Sequence, residues 1–362
     1  MKDSGVTPAQ HFVAFGAGDL PRRVTDRGGV ITVSATARPS ATVEFCLKRE
    51  ALRLLDAQAL DAVEAGEAVL AAVEAAFAWR PERDVLEVAL ESRPDVLAWL
   101  AERGVVAAER GGWRASAAML MQRPEPWLAT GAEAPYPERF VLSGSRRHPL
   151  RRPKPEGVAY ARFVPWLGET LTFRAATVGD DLETFHRWMN DPRVAAFWTE
   201  AGDLAAHRRY LEAVIADPHM IPMIGAFDGA PFAYFEIYWA KENRLAPFYD
   251  ADDYDRGWHV AVGEESRRGG AYIGAWLPSL MHFMFLDDPR TRRIVGEPAT
   301  AHVQQIRNLE RSGFAQIKTF DFPHKRATLV SLLRERFFAE KLWLPARRDA
   351  QRPSTVALAG AA

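Results

Sequence analysis

Apolar positions along this chain change period in a regular order, and that order outlines the fold. Ile273, Trp276, Leu277, Leu280, Met281, Met284 and Phe285 recur at i, i+3, i+4 and i+7. The stripe predicts a helix from about residue 270 with one buried face. Pro278 lies inside it and predicts a bend, because proline lacks the N–H that the helical ladder needs. Residues 258–262, just before the helix, read as a short strand, and residues 292–296 read as a second strand parallel to it, joined through that helix. Upstream, residues 170–175 alternate as a strand, and residues 180–190 and 207–216 carry the helical period. Asp180 or Asp181 is the expected cap of the first of these helices. Residues 223–227 and 231–239 are strands joined by a hairpin turn at Asp228-Gly229. Residues 302–311 form a further helix stopped by Gly313, and residues 314–320 and 326–332 a closing hairpin around Pro323-His324.

The first part of the chain is a smaller version of this alternation. Residues 1–40 show little pattern and read as a loose lead-in with a strand or two. Residues 60–79 form an Ala-rich helix and residues 85–90 a buried strand. A helix over 94–103 stops at Gly104, and residues 105–121 turn back as a hairpin at Gly111-Gly112. Prolines 124, 126, 135, 137, 149, 153, 155 and 165, with the basic run from Arg146 to Arg152, predict an extended, solvated connector, with a phosphate-binding arm as the alternative. The chain therefore divides into an N-terminal α/β domain (1–121), a connector (122–167), a second domain (168–338) and a tail (339–362) that starts helical and then loses order.

Composition narrows the functional classes. A net charge of −1 argues against a dedicated nucleic-acid binder. Cys46 is the single cysteine, so no internal disulfide and no cysteine-based zinc site can form, which fits a cytoplasmic protein without a resident metal. The N-terminus lacks the apolar run of a signal peptide, and no stretch has the roughly 18 apolar residues of a membrane span. Eleven tryptophans hint at aromatic-lined pockets.

Arg267-Arg-Gly-Gly270 sits between a strand and a long helix. Such a turn offers bare backbone N–H groups beside a positive helix end, a seat for a pyrophosphate. The element order and this turn resemble the GNAT superfamily of acyl-CoA N-acyltransferases, whose turn is written [Q/R]-x-x-G-x-[G/A]. The match from Arg267 runs through Gly270 and departs at Tyr272. Trp188-Met-Asn-Asp-Pro-Arg-Val194, Tyr234-Phe-Glu-Ile-Tyr-Trp-Ala-Lys241, Tyr249-Asp-Ala-Asp-Asp-Tyr-Asp-Arg-Gly-Trp-His259, Phe285-Leu-Asp-Asp-Pro-Arg-Thr291 and Asp321-Phe-Pro-His-Lys-Arg-Ala327 resemble one branch of it. That branch is the siderophore-biosynthesis acyltransferases of the aerobactin and rhizobactin type, and the likeness covers about residues 148–338.

The resemblance implies a mixed-sheet GNAT fold and transfer of an acyl group, acetyl above all, from acyl-CoA as co-substrate to an N-hydroxylated amine such as N6-hydroxylysine. The product would be an iron-binding hydroxamate, and siderophore synthetases would be pathway partners. It implies catalytic roles for His259 and Glu297, as hydrogen-bond partner or base and as proton acceptor. Arg267, Arg268, Gly269 and Gly270 would cradle the CoA pyrophosphate. Counting from Glu297, the superfamily's pantetheine-contacting asparagine falls at His302 and its thiolate-protonating tyrosine at Leu309. Asp250, Asp252, Asp253 and Asp255 cluster before His259, where Asp250 and Asp255 are candidates for a substrate ammonium, with Trp239 at the end of a strand near the cleft. Residues 85–104 echo residues 293–313, which points to the N-terminal domain as a shrunken GNAT-like half without a CoA turn. The rival readings are the same fold acylating an unhydroxylated amine or a hydroxylated diamine with another acyl-CoA, and a silent GNAT-like binding module.

Overall fold

The computed structural model describes residues 9–15, 21–35, 38–56, 60–109, 111–129 and 134–345. Its contacts divide into two units: Met1–Ala132 with Ala161–Pro165, and Glu133–Tyr160 with Trp166–Ala362. No helix among the described residues is long and apolar enough to cross a membrane.

The first unit runs β1 (Gln10–Ala14), β2 (Arg22–Arg27), β3 (Val30–Ala35), β4 (Arg38–Lys48), β5 (Ala51–Asp56), α1 (Ala62–Trp79), β6 (Val85–Ala89), α2 (Pro94–Glu102), β7 (Ala107–Glu109), β8 (Gly112–Ser116) and α3 (Ala117–Met121). Its sheet has the order β1-β2-β3-β4-β5-β6-β8-β7, in which only β5 and β6 run parallel, joined by α1. The lead-in is therefore a meander of four paired strands, not a loose segment. Val24, Ile31, Val33, Val43 and Phe45 are buried, and Ile31/Val33 and Val43/Phe45 are spaced two apart, so one face of each strand enters the core. The pattern was hidden because β2 holds a single large apolar residue among arginines. The last five residues of the expected hairpin coil into α3.

The second unit runs β9 (Phe140–Ser143), β10 (Arg146–Pro149), β11 (Val158–Val164, of which the residues from Ala161 on count with the first unit), β12 (Glu169–Ala175), α4 (Val178–Met189), α5 (Pro192–Trp198), α6 (Leu204–Ala216), β13 (Met220–Phe227), β14 (Ala230–Trp239), β15 (Arg256–Val262), α7 (Gly270–Asp287), β16 (Arg293–Gly296), α8 (Val303–Arg311), β17 (Ala315–Asp321), β18 (Arg326–Leu333) and α9 (Arg334–Ala339). Its main sheet has the order β11-β12-β13-β14-β15-β16-β18-β17, with β15 and β16 parallel and joined by α7. Strand order matches the first sheet throughout, and from the second strand on the pairings share their direction. Where the first unit has a tight β2–β3 turn at Gly28-Gly29, the second inserts α4, α5 and α6.

Three expectations change on contact with the structure. Helix α7 is buried on every side from Ala275 to Asp287, so it is a central core helix, and the apolar stripe marked only part of its contact surface. Thr177, not an aspartate, caps α4: its Oγ1 accepts from the Asp180 N–H at 3.0 Å. Asp181 is instead buried against the Arg174 guanidinium.

The basic connector is not a solvated arm. Residues 146–149 form β10, and His148 and Arg151 are buried. The Arg151 fork donates to both Glu242 oxygens, at 2.5 and 2.8 Å. His148, His219 and Glu242 bring ligand-type atoms within 4.8 Å of one another. Arg151 already occupies both carboxylate oxygens, so we read this cluster as a buried ion pair, whose charges need each other away from water. Of the tail expected over 339–362, α9 ends at Ala339 and turns and a bend follow before residue 345, and the loss of order expected further on falls outside the described residues.

Candidate active site

Strands β15 and β16 pair only at Arg256↔Ile294 and Gly257↔Val295, and then part. Beyond that point β15 faces a gap on one side while it stays paired with β14 on the other, where Glu236 lies opposite His259. Glu297 follows the end of β16 on the far side of the gap. His259 is therefore held between two carboxylates. Its Nδ1 is 3.2 Å from Glu236 Oε2 and its Nε2 is 3.3 Å from Glu297 Oε1.

Both carboxylates are buried and tethered. Tyr210 and Tyr234 donate their hydroxyls to Glu236 Oε1 at 2.6 and 3.1 Å. Tyr238 donates to Glu297 Oε2 at 2.9 Å, and Lys325 Nζ donates to the Glu297 carbonyl at 2.8 Å. Burial opposes charge on His259, but the hydrogen bonds and charges of Glu236 and Glu297 outweigh it and raise its pKa to about 9. Burial likewise pushes Glu297 up, but His259, Lys325 and Tyr238 outweigh it and bring its pKa down to about 2. This pairing favours the imidazolium near neutral pH, with both N–H groups donating, and so favours a hydrogen-bonding role over that of a free base.

The sign of the linkage follows. His259 gains a partner on folding, so its stabilisation is complete below its ordinary pKa of about 6.5 and is lost as pH rises through about 9. The Glu297 side of the same interaction is present above about 4.5 and is lost as pH falls towards about 2.

At the other end of β15 the chain turns into α7. Gly269 has φ 113° and ψ 169°, a conformation that a Cβ would strain. No side chain caps α7, so its first N–H groups and its dipole face outward. Helix α1 differs: the Asp61 carboxylate accepts from the Val63 and Glu64 N–H groups at 2.9 Å, filling the position an anion would take. Both arginines of the turn also have partners within the protein. Arg267 is bound to Glu169 at 2.7 Å, and Arg268 donates to the Val262 and Gly263 carbonyls at 2.8 and 3.1 Å. These bonds brace the turn, while Arg268 Nη1 is buried without a partner.

Helix α5 was missed, although Asp191 before Pro192 is a cap followed by proline at the first helical position. It brings Trp198 edge-on to His259, at 6.1 Å between ring centres, and Phe197 to 4.8 Å from His302 at the start of α8. Leu309 is buried in the core and supplies no proton.

Other expected residues lie elsewhere. Asp255 is buried and accepts from Arg293 at 2.7 Å and from Tyr249 at 2.9 Å. The Asp250 carbonyl accepts from the same arginine at 2.8 Å, and Asp253 lies 3.7 Å from Lys241. Asp255 and Asp253 of the acidic loop are thus met by cations of the same unit. Trp239 is buried between the Arg151 and Arg256 guanidiniums, at 4.2 and 4.0 Å, as a packing residue. Glu236 was overlooked as a site residue. Its signal was a lone carboxylate in an apolar strand, flanked at i±2 by Tyr234 and Tyr238 on the same strand face.

Comparison with known proteins gives the family. An acetyltransferase (GNAT) domain matches residues 177–322. The chain is 45% identical over 215 residues to the N(5)-hydroxyornithine:cis-anhydromevalonyl coenzyme A-N(5)-transacylase SIDF of Beauveria bassiana, covering 58% of this chain and 47% of that one. It is 42% identical over 216 residues to the N(6)-hydroxylysine O-acetyltransferase of Escherichia coli, covering 59% and 68%. It is 32% identical over 304 residues to acyltransferase ato1 of Omphalotus olearius, covering 74% and 75%. The chain thus spans about half the length of the first of these relatives and over two thirds of the other two. On these matches the chain belongs to the GNAT acyltransferases, in the branch that holds the siderophore-type hydroxylysine and hydroxyornithine acyltransferases.

Proposed function

We propose that this chain transfers an acyl group, acetyl in the simplest case, from acyl-CoA to the nitrogen of an N-hydroxylated amine such as N6-hydroxylysine. The hydroxamate formed would pass to synthetases of siderophore assembly in the cytoplasm. The observation that carries the reading is His259 held between Glu236 and Glu297, at 3.2 and 3.3 Å, a pairing that favours its cationic form. A site without a neutral base cannot deprotonate an alkylammonium, whose pKa is about 10.4. It suits an amine that arrives neutral, and a hydroxylamine is largely unprotonated near neutral pH.

In this account the pyrophosphate rests on the N–H groups of the turn at Gly269–Gly270 and the α7 N-terminus. The pantetheine arm follows the unpaired edge of β15 past His302, which brings the thioester to His259. The hydroxylamine nitrogen attacks the carbonyl carbon, a C–N bond forms and the C–S bond breaks. The nitrogen loses a proton and the sulfur gains one. His259 is the sulfur's donor, since an acid of pKa about 9 is close to a thiol's value of about 8.5. The proton released by nitrogen returns through Glu297. By the same strand order, we read the first unit as a degenerate GNAT-like repeat that does not bind CoA.

The direct test is the product formed from acetyl-CoA and N6-hydroxylysine. N-acylation gives a hydroxamate that colours with ferric iron, whereas an O-acyl ester gives no colour and would contradict the reading. Two further outcomes are expected. The kcat/KM profile should fall as pH rises through about 9, where His259 loses its proton; a rate that rises there instead would make His259 a base. Gly269→Ala should weaken acyl-CoA binding by about tenfold or more, measured by calorimetry, since its φ of 113° strains any side chain.

A further inference from the structure

We infer that Arg244 reads a carboxylate on the acceptor, and so selects hydroxylated amino acids over hydroxylated diamines. The inference rests on the function proposed above. Arg244 lies in the loop between β14 and β15, at the end of β15 away from the phosphate turn. Its Nη2 is 3.6 Å from Glu297 Oε1, beyond hydrogen-bond length, and its side chain is 52% exposed. Neighbouring arginines of the unit are each paired with a carboxylate of the same unit: Arg151 with Glu242, Arg256 with Asp287, Arg290 with Asp288 and Arg293 with Asp255. Arg244 donates no hydrogen bond among the described residues, so its planar fork is available to a ligand at the mouth of the site.

Its surroundings add positive charge. Lys325 Nζ and the Arg244 guanidinium both lie 5.5 Å from the centre of the Phe322 ring, on which His324 stacks at 5.4 Å. Glu297, which they approach, is already shared with His259 and Tyr238. The distances place the Arg244 fork within about 7 Å of His259 Nε2. In an extended hydroxylysine, bonds of about 1.5 Å put the carboxylate roughly 8 Å from the reacting nitrogen. One molecule can therefore set its nitrogen at His259 and its carboxylate on Arg244. A hydroxylated diamine would bring a second cation to this same cluster.

The experiment compares kcat/KM for N6-hydroxylysine and N-hydroxycadaverine, which differ by the carboxylate, using acetyl-CoA, wild-type protein, Arg244→Gln and Arg244→Lys. The expected wild-type ratio is about 50 or more, the worth of a charge-assisted bidentate pair. It should collapse below about 5 in Arg244→Gln and recover in part in Arg244→Lys, which keeps the charge without the fork. An unchanged ratio in Arg244→Gln, or a wild-type ratio near 1, overturns the assignment while leaving hydroxamate synthesis intact. A carboxylate could instead reach Arg244 on a dicarboxylic acyl group. A preference for succinyl-CoA over acetyl-CoA that Arg244→Gln abolishes, with the acceptor ratio unmoved, would overturn the acceptor assignment. Turnover of neither amine would remove the proposed function, and this inference with it.

Discussion

Replacing His259 by alanine is expected to lower kcat by about 100-fold or more, with a smaller effect on KM for acyl-CoA. The phosphate turn is at the far end of β15 and keeps its backbone, so donor binding survives. What is lost is the only cation set between Glu236 and Glu297. Without it, two buried carboxylates face one another across an empty site, and one must take up a proton. The structural part of this effect can be separated with Glu236→Gln. That change leaves His259 in place but removes one of the two charges that raise its pKa, so the alkaline limb of the rate profile should move below about 9. A fold disturbed without involvement in proton transfer would lower the rate and leave the limb unmoved. Full turnover in His259→Ala would remove the catalytic assignment.

Asp287→Ala is expected to give the largest loss of stability, about 3–5 kcal/mol. Arg256 is fully buried and donates to Asp287 at 2.7 Å. Its Nε and Nη2 have no partner, so this one bond carries the charge, supported by the Trp239 face at 4.0 Å. Removing the carboxylate strands a guanidinium in the core, which costs more than a cavity of the same size. Arg256 opens β15, where it pairs with Ile294 three residues before His259. Thermal unfolding of the second unit should therefore fall by roughly 10 °C, and residual activity at lower temperature should fall too, because the strand that carries His259 is loosened. A melting temperature within about 2 °C of the parent would mean that Arg256 finds another partner, such as water, and that the pair is not structural.

The sequence was most legible where a single element decides its own form. The central helix, the parallel strand pair it joins, the hairpin at Asp228-Gly229 and the helix stopped by Gly104 all follow from local period and turn residues. His259 and Glu297 were legible through family resemblance, and the structure brings them to 3.3 Å. Partner choice was not legible. The sequence does not show that Glu169 and the Val262 carbonyl lie beside Arg267 and Arg268. Asp255 looked free because Arg293 lies 38 residues away in the chain. Trp239 looked like a cleft residue because cross-strand packing brings two buried arginines onto its faces. Glu236 was passed over although it sits two residues from each of two tyrosines, since only strand register shows that it meets His259. The four strands before residue 50 were read as a strand or two, because their apolar residues lie among charged ones and pair across strands rather than along them.

The most direct test of the account is thiol release from acetyl-CoA with lysine and with N6-hydroxylysine, measured side by side at pH 7.5. The account requires turnover with N6-hydroxylysine and at least about 100-fold less with lysine, because a cationic His259 cannot deprotonate an ammonium. Comparable turnover of lysine would mean that the site holds a working base, and the proposed chemistry would be wrong.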